Sequence, residues 1–235
     1  MRKIIKHFLN VLYPRCCPVC HEILADQNRL ICERCERELQ PVKHPRCFKC
    51  GKPVEEGEEY CLDCRSHPHI FTQGRGIFLY DERMRRSITR YKYYGCREYG
   101  YFYGRAMCRY GRDEIECWKP DLIVPVPLHK SKERSRGFNQ SALLAEVLSR
   151  FTGIPSDCTL VRKVVRTRSQ KKLTAHQRQE NLKKAFCVTK PVKGRKILVV
   201  DDVYTTGSTI DAMASCLMEK GAENVYFLTV CIGKR

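Results

Sequence analysis

The stretch that most restricts this chain is Lys196–Asp211, KILVVDDVYTTGSTID. Ile197 to Val200 form a short, apolar, largely β-branched run, as expected of a strand buried on both faces of a parallel sheet. Two adjacent carboxylates follow, Asp201 and Asp202. Then come Val203 and a hydroxyl-rich turn, Thr205-Thr206-Gly207-Ser208-Thr209, before a helical pattern begins. Such a turn offers free backbone N–H groups at a helix N-terminus, a ready site for phosphate. Gly207 lets the backbone approach a ligand closely. Carboxylates just ahead of the turn could accept hydrogen bonds from the vicinal hydroxyls of a sugar. The segment therefore reads as a clamp for a phosphorylated ribose. No GxxxxGK[ST] occurs, which speaks against a P-loop.

A second constraint lies at the other end. Eight of the 16 cysteines fall in four CxxC pairs: Cys17/Cys20, Cys32/Cys35, Cys47/Cys50 and Cys61/Cys64, beginning 15, 15 and 14 residues apart. A CxxC turn spans about one edge of a thiolate tetrahedron, so two such turns close a zinc site. The first and third pairs look like zinc knuckles. The second and fourth, Cys-Glu-Arg-Cys and Cys-Leu-Asp-Cys, carry charged residues as helical turns do. This alternation argues for sequential pairing, with a cross-braced arrangement as the alternative. Both zincs should be structural, because a segment so poor in large apolar residues would need them to fold. Disulfides would imply export, which nothing else suggests.

The 235 residues leave room for one large domain and a small module. The expected division is an amphipathic helix over 1–16 (Ile5, Leu9 and Leu12 on one face), a double zinc ribbon over 17–70 and an α/β domain over 71–235. No apolar run reaches the ~20 residues of a membrane span, and the expected location is cytoplasmic. The net charge of +18 is uneven. Residues 1–70 hold 12 Lys and Arg against 10 Asp and Glu, while the rest hold 32 against 16. The positive excess thus belongs to the larger domain and suits polyanions, although a generally basic surface is the plainer reading.

Within that domain, Gly76–Tyr80 reads as a strand and Asp81–Tyr94 as a helix with Gly95 at its C-terminal cap. Tyr99–Ile115 reads as a second helix. Asp121–Pro125 is a buried strand that must turn at Pro-Val-Pro. Lys130, Lys132, Arg134 and Arg136 follow, then a helix through Phe151. Leu160–Arg168 is a third strand candidate ending in Arg162, Lys163, Arg166 and Arg168, with Gln170 and a helix capped by Thr174 beyond it. Arg195–Val200, a helix over Thr206–Lys220 and a strand over Asn224–Ile232 complete the series. The alternation predicts an α/β fold, a parallel sheet with helices on both faces. Cations gathered at the C-terminal edge of such a sheet suit a pyrophosphate.

The 197–209 segment closely resembles the phosphoribosyl-pyrophosphate (PRPP) loop of type I phosphoribosyltransferases: four apolar residues, two acids, an apolar residue, two variable ones, then Thr-Gly-x-Thr. A receiver domain also ends a strand in Asp-Asp, but on its first strand, whereas only residues 203–235 follow Asp202 here. The chain as a whole resembles the competence protein ComF family, a double zinc ribbon joined to a type I phosphoribosyltransferase domain. The motifs that carry this likeness are the CxxC pairs, Lys92-Tyr93-Tyr94-Gly95, VPVPL-x5-RSRGFNQ, Gln170…Leu173…Arg178…Asn181…Phe186 and the loop itself.

The resemblance implies that Asp201 and Asp202 grip the ribose of PRPP. It assigns the 5′-phosphate to Thr205, Thr206, Gly207, Ser208 and Thr209. Lys132, Arg134 and Arg136, with a hood bearing Arg166, Arg168 and Gln170, would face the pyrophosphate. Mg²⁺ would accompany PRPP, held mostly by the ligand's oxygens and water. The resemblance further implies a part in DNA uptake during natural transformation, with single-stranded DNA and a helicase-type protein as partners. It names no phosphoribosyl acceptor. The phosphoribosyl half is also similar to that of amidophosphoribosyltransferase, but Met1-Arg2 supplies no N-terminal nucleophilic cysteine, so purine synthesis is not expected. Three readings follow: a phosphoribosyltransferase, a non-catalytic PRPP or nucleotide sensor, and a nucleic-acid-binding adaptor using the ribbons and the basic surface.

Overall fold

The computed structural model describes residues 14–164 and 185–234. Most of the expected N-terminal helix lies outside the described residues, as do Arg166, Arg168, Gln170, Leu173, Thr174, Arg178 and Asn181. In chain order the strands are β1 (Gln73–Leu79), β2 (Leu122–Pro125), β3 (Val161–Lys163), β4 (Phe186–Val188), β5 (Lys196–Tyr204) and β6 (Asn224–Ile232). The helices are α1 (Glu33–Glu38), α2 (Leu62–Ser66), α3 (Glu82–Tyr93), α4 (Tyr99–Tyr110), α5 (Arg112–Trp118), α6 (Lys130–Arg136), α7 (Gln140–Thr152) and α8 (Ser208–Glu219).

Four strands pair in parallel in the order β1-β6-β5-β2. The central strands β5 and β6 are apolar because both of their faces are covered. Leu198 and Val200 face a core formed with Met84, Ile88 and Tyr91 of α3, Tyr103 and Met107 of α4, and Leu144 and Leu148 of α7. Ile197 and Val199 face the opposite core, with Ile210, Met213 and Leu217 of α8 and Val161 and Phe186 of β3 and β4. Helices thus flank both faces of the sheet, as the alternation predicts.

Three elements differ from the sequence reading. Of the strand expected over Leu160–Arg168, the described residues 160–164 do not join the parallel sheet. The chain runs beside β2 at Pro155–Asp157, where the Ile123 amide donates to Pro155 O (2.9 Å) and the Asp157 amide donates to Ile123 O (3.0 Å). Asp157 Oδ1 then accepts from the amides of Thr159 (2.7 Å) and Leu160 (3.0 Å), a local turn that draws the chain away from the sheet. Val161–Lys163 instead pairs antiparallel with Phe186–Val188. The helix expected over Tyr99–Ile115 breaks at Gly111, where Leu228 of β6 packs so closely that a Cβ would meet its Cδ1 at 3.0 Å. Finally, β5 runs past Val200 to Tyr204, because β6 keeps pairing with it as far as Ile232.

The two ribbons are built alike. Each knuckle is followed by a residue in the left-handed region: Gly51 (φ 77°) in the second, His21 (φ 69°) in the first. Cys32 and Cys61 cap α1 and α2, which carry Cys35 and Cys64. The helical character read from the charged pairs is therefore present. The ribbons differ in what surrounds them. Cys17 and Cys35 lie in a small separate core with Val19, Leu24 and Ile31. Cys47, Cys50 and Cys61 belong to the same core as β5, β6 and α8. The second ribbon is also tied to β1 by Gly74 N–H donating to Lys49 O (2.9 Å) and Gln73 Nε2 donating to Phe48 O (2.8 Å). An ion cluster completes the join: Arg46 meets Glu114 at 2.9 Å, and Arg75 reaches the same carboxylate at 3.3 Å.

Candidate functional site

The C-terminal end of β5 is the focus. Asp201 and Asp202 lie within the strand, so their side chains alternate. Asp202 turns to the Leu198–Val200 side and is 3 % exposed. A carboxylate so buried requires a counter-charge, and Lys92 provides it from the last turn of α3, with Nζ 2.7 Å from Asp202 Oδ1. Burial pulls the Lys92 ammonium down, but Asp202 and then Asp201 outweigh it and raise its pKa. Asp202 Oδ2 is buried with no partner among the described residues. Asp201 is half-buried near the C-terminal end of β5. Its Oδ1 accepts from Ser141 Oγ at 2.7 Å and from the Asp202 amide at 2.9 Å. Desolvation, then the Asp202 charge, lifts its carboxyl to about 7, while Lys92 and Ser141 pull the other way.

Beyond Tyr204 the chain opens into the hydroxyl turn. Thr205 and Thr206 are exposed, and Gly207 takes the left-handed conformation (φ 82°) as the residue before α8. Thr206 Oγ1 and Ser208 Oγ are 2.9 Å apart. Ser208 and Thr209 form the first turn of α8, whose leading amides have no intrahelical acceptors. Acids, hydroxyls and free amides thus meet at one end of β5.

The expected pyrophosphate cations separate. Lys132 and Arg134, on α6, are exposed to solvent. Arg136 turns inward: it hydrogen-bonds Gln140 Oε1, lies 4.9 Å over the Tyr93 ring, and leaves its Nε buried without a partner among the described residues. Lys163, at the end of β3, joins the neighbourhood. Burial, then the Lys132 charge, lowers its pKa, and Asp201 opposes this. Sequence reasoning did not place Lys92 or Ser141 in the site, and it named Lys163 only as one of the basic run Arg162, Lys163, Arg166 and Arg168. For Lys92 a signal existed in its conspicuous KYYG motif. Ser141 carried none, because its role depends on how α7 crosses the end of β5, and the basic run did not single out Lys163, whose place depends on the β3–β4 arm.

The cysteines form two groups, Cys17/Cys20/Cys32/Cys35 and Cys47/Cys50/Cys61/Cys64, each with its sulfurs within 4.8 Å of one another. This is the sequential pairing. Cys20 and Cys32 Sγ are 3.8 Å apart, and Cys50 and Cys61 Sγ are 3.6 Å apart. A tetrahedron with Zn–S bonds of about 2.3 Å has edges of about 3.8 Å, so both groups fit Zn²⁺. Four protein ligands leave no open position, which makes these structural sites. Among the described residues no helix is long and apolar enough to cross a membrane.

Two family models match separate parts of the chain. The double zinc ribbon domain family matches residues 8–65, and the phosphoribosyl transferase domain family matches residues 134–235. The chain is 33% identical over 221 residues to DNA utilization protein YhgH of Escherichia coli K12, covering 93% of this chain and 97% of that protein. It is 32% identical to competence protein ComFC of Bacillus subtilis, covering 84% of this chain and 82% of that one. It is 29% identical to competence protein F of Haemophilus influenzae, covering 83% and 87%. With two four-cysteine zinc-ribbon sites leading into a phosphoribosyltransferase-type parallel sheet, the chain belongs to the ComF family of competence and DNA utilization proteins.

Proposed function

We propose that this protein binds PRPP with Mg²⁺ at the end of β5 and acts as a phosphoribosyltransferase-type component of DNA uptake and utilization. The observation that carries the reading is the convergence of Asp201 and Asp202 with the free amides and hydroxyls of residues 205–209. In this reading the turn takes the 5′-phosphate. Asp201, the more accessible acid, accepts the ribose hydroxyls, and Asp202 joins it through its unpartnered Oδ2. Mg²⁺, when bound, neutralises the pyrophosphate. Among the described residues the only clusters suited to a metal are the two cysteine groups, so the ligand's own oxygens would supply most of the magnesium's coordination. In this reading Lys132, Arg134, Arg136 and Lys163 stabilise the departing pyrophosphate as the anomeric carbon becomes cationic. The hood residues Arg166, Arg168 and Gln170 belong to the same proposal.

A nucleic-acid role is favoured by a separate feature. A groove of about 720 Å³ runs between the first ribbon and α3, lined by His21, Arg85, Arg86, Arg90 and Tyr94. Arg86 already pairs with Glu82. Tyr93 and Tyr94, at the end of α3, are 68% and 73% exposed. Cations beside exposed aromatic rings suit a single strand, whose phosphates and bases they can hold together. The names of the relatives, competence and DNA utilization proteins, agree with this reading.

Three outcomes are expected. Calorimetry with PRPP and Mg²⁺ should show binding that Asp201→Asn/Asp202→Asn weakens about a hundredfold, roughly two charge-assisted hydrogen bonds; equal affinity in the double variant would remove the acids from the site. The second outcome concerns pH. A carboxyl raised to about 7 in the folded chain, against about 4 unfolded, makes the native state the stronger proton binder between those values. Its contribution is fully present below about pH 4 and is lost as pH rises through 7. The fall in melting temperature over that interval should be shallower in Asp201→Asn than in the wild type, and parallel curves would contradict the shift. The third outcome concerns DNA: Arg85→Glu/Arg90→Glu should weaken single-stranded oligonucleotide binding at least about tenfold and flatten its salt dependence. Unchanged anisotropy titrations would place the strand elsewhere.

A further inference from the structure

The short segment between the second ribbon and β1 sends His69 beneath the phosphate turn. Its ring is buried and stacked on Phe71, with centroids 4.8 Å apart. His69 Nδ1 lies 2.7 Å from Asp211 Oδ2, and the Ile70 amide donates to Asp211 Oδ1 at 2.8 Å. An ionised carboxylate only accepts, so Nδ1 carries the proton. In the neutral ring Nε2 is then left to accept from the Tyr204 hydroxyl, 3.5 Å away. The turn rests directly on this pair of rings. A Cβ on Gly207 would stand 2.7 Å from His69 Cε1 and 2.7 Å from the Tyr204 hydroxyl.

On its other side the brace reaches the second cysteine group. Phe71 shares a core with Cys47, Cys50 and Cys61. Lys52, 1% exposed, donates to Asp63 at 2.5 Å, between Cys61 and Cys64, and its ammonium lies 5.7 Å from the Tyr204 ring centroid. The first cysteine group has its own core, which includes none of these residues.

The position of Asp211 gives the brace a purpose. It lies in the first turn of α8, close to where an anion would sit. A free carboxylate there could turn onto the leading amides of its own helix and compete with phosphate. With both oxygens held by His69 and Ile70, it cannot.

We propose that His69 is a positioning residue for the phosphate turn, and that through it the second four-cysteine site, unlike the first, sets how well the turn holds a phosphorylated ribose. The proposal rests on the ribose-phosphate reading above. It is tested on the zinc-loaded full chain by amide hydrogen exchange, metal content and binding of ribose 5-phosphate. His69→Ala should keep two zincs and the protection of β5 and β6. Its Gly207–Thr209 amides should exchange about tenfold faster, and ribose 5-phosphate should bind about tenfold more weakly. His69→Asn, whose amide N–H can still reach Asp211, should restore most of both. Cys64→Ser, which opens the second zinc site, should speed exchange of the same amides. The proposal is overturned if the turn's exchange is unchanged in His69→Ala, if protection falls equally across β5 and β6, or if His69→Asn behaves like alanine. It is also overturned if Cys64→Ser loses its zinc and leaves the turn as it was. Should the wild type fail to bind ribose 5-phosphate, the ribose-phosphate reading falls, and the exchange rates alone still decide whether His69 braces the turn.

Discussion

A carboxylate buried in a sheet needs a cation, and much of this protein is arranged to deliver one. Asp202 sits in a strand covered on both faces. Leaving it unpaired would cost roughly 3–5 kcal/mol. Lys92 reaches it only because α3 crosses the sheet with Met84, Ile88 and Tyr91 packed down and its last turn at the end of β5. The same crossing places Tyr93 under Arg136 and leaves Tyr94 at the mouth of the α3 groove. Tyr91 donates to Gln140 O at 2.8 Å and so ties α3 to the start of α7, whose Ser141 holds Asp201. One ion pair therefore fixes the relation between the acids, the inward-facing arginine and the basic groove.

The two ribbons relate to this core differently. The first touches it through side contacts, such as His21 Nδ1 and the Tyr99 hydroxyl at 2.5 Å. The second is part of it. Gly51 comes so close to β1 that a Cβ would meet Gly74 O at 2.8 Å, and Phe71, Tyr204 and Phe227 pack ring against ring between its cysteines and the sheet. A zinc ion there closes a local ribbon and completes one wall of the ribose-phosphate domain. The chain thus divides structurally between its two metal sites as much as between ribbon and sheet.

Local chemistry was legible in the sequence wherever neighbours in the chain determine it. CxxC spacing gave the eight ligands, and the alternation of knuckle and helical pairs favoured sequential over cross-braced pairing. The apolar run with Asp201-Asp202 gave the central strand, and Gly207 with its hydroxyl neighbours gave the start of α8. What the sequence hid depends on contacts between distant segments. The detour of Leu160–Lys163 away from the sheet turns on Asp157 capping a turn beside Pro155. The break at Gly111 answers to Leu228, more than a hundred positions away. Ser141 and His69 look like ordinary helix or linker residues until the crossings of α7 and the ribbon linker bring them to the acids and the turn, and the KYYG motif marked Lys92 without showing that α3 carries it to Asp202. The adjacency of Asp201 and Asp202 also suggested two equivalent ligands, whereas strand alternation makes one accessible and buries the other.

The most direct test is a crystal structure of the zinc-loaded chain with ribose 5-phosphate. The phosphate should lie within hydrogen-bonding distance of the Gly207–Thr209 amides, with the sugar hydroxyls on Asp201 and Asp202 and the Lys92 ion pair retained. Phosphate seated on the α6 cations or in the arginine groove, with the 205–209 turn empty, would contradict the assignment of this strand end as a ribose-phosphate clamp.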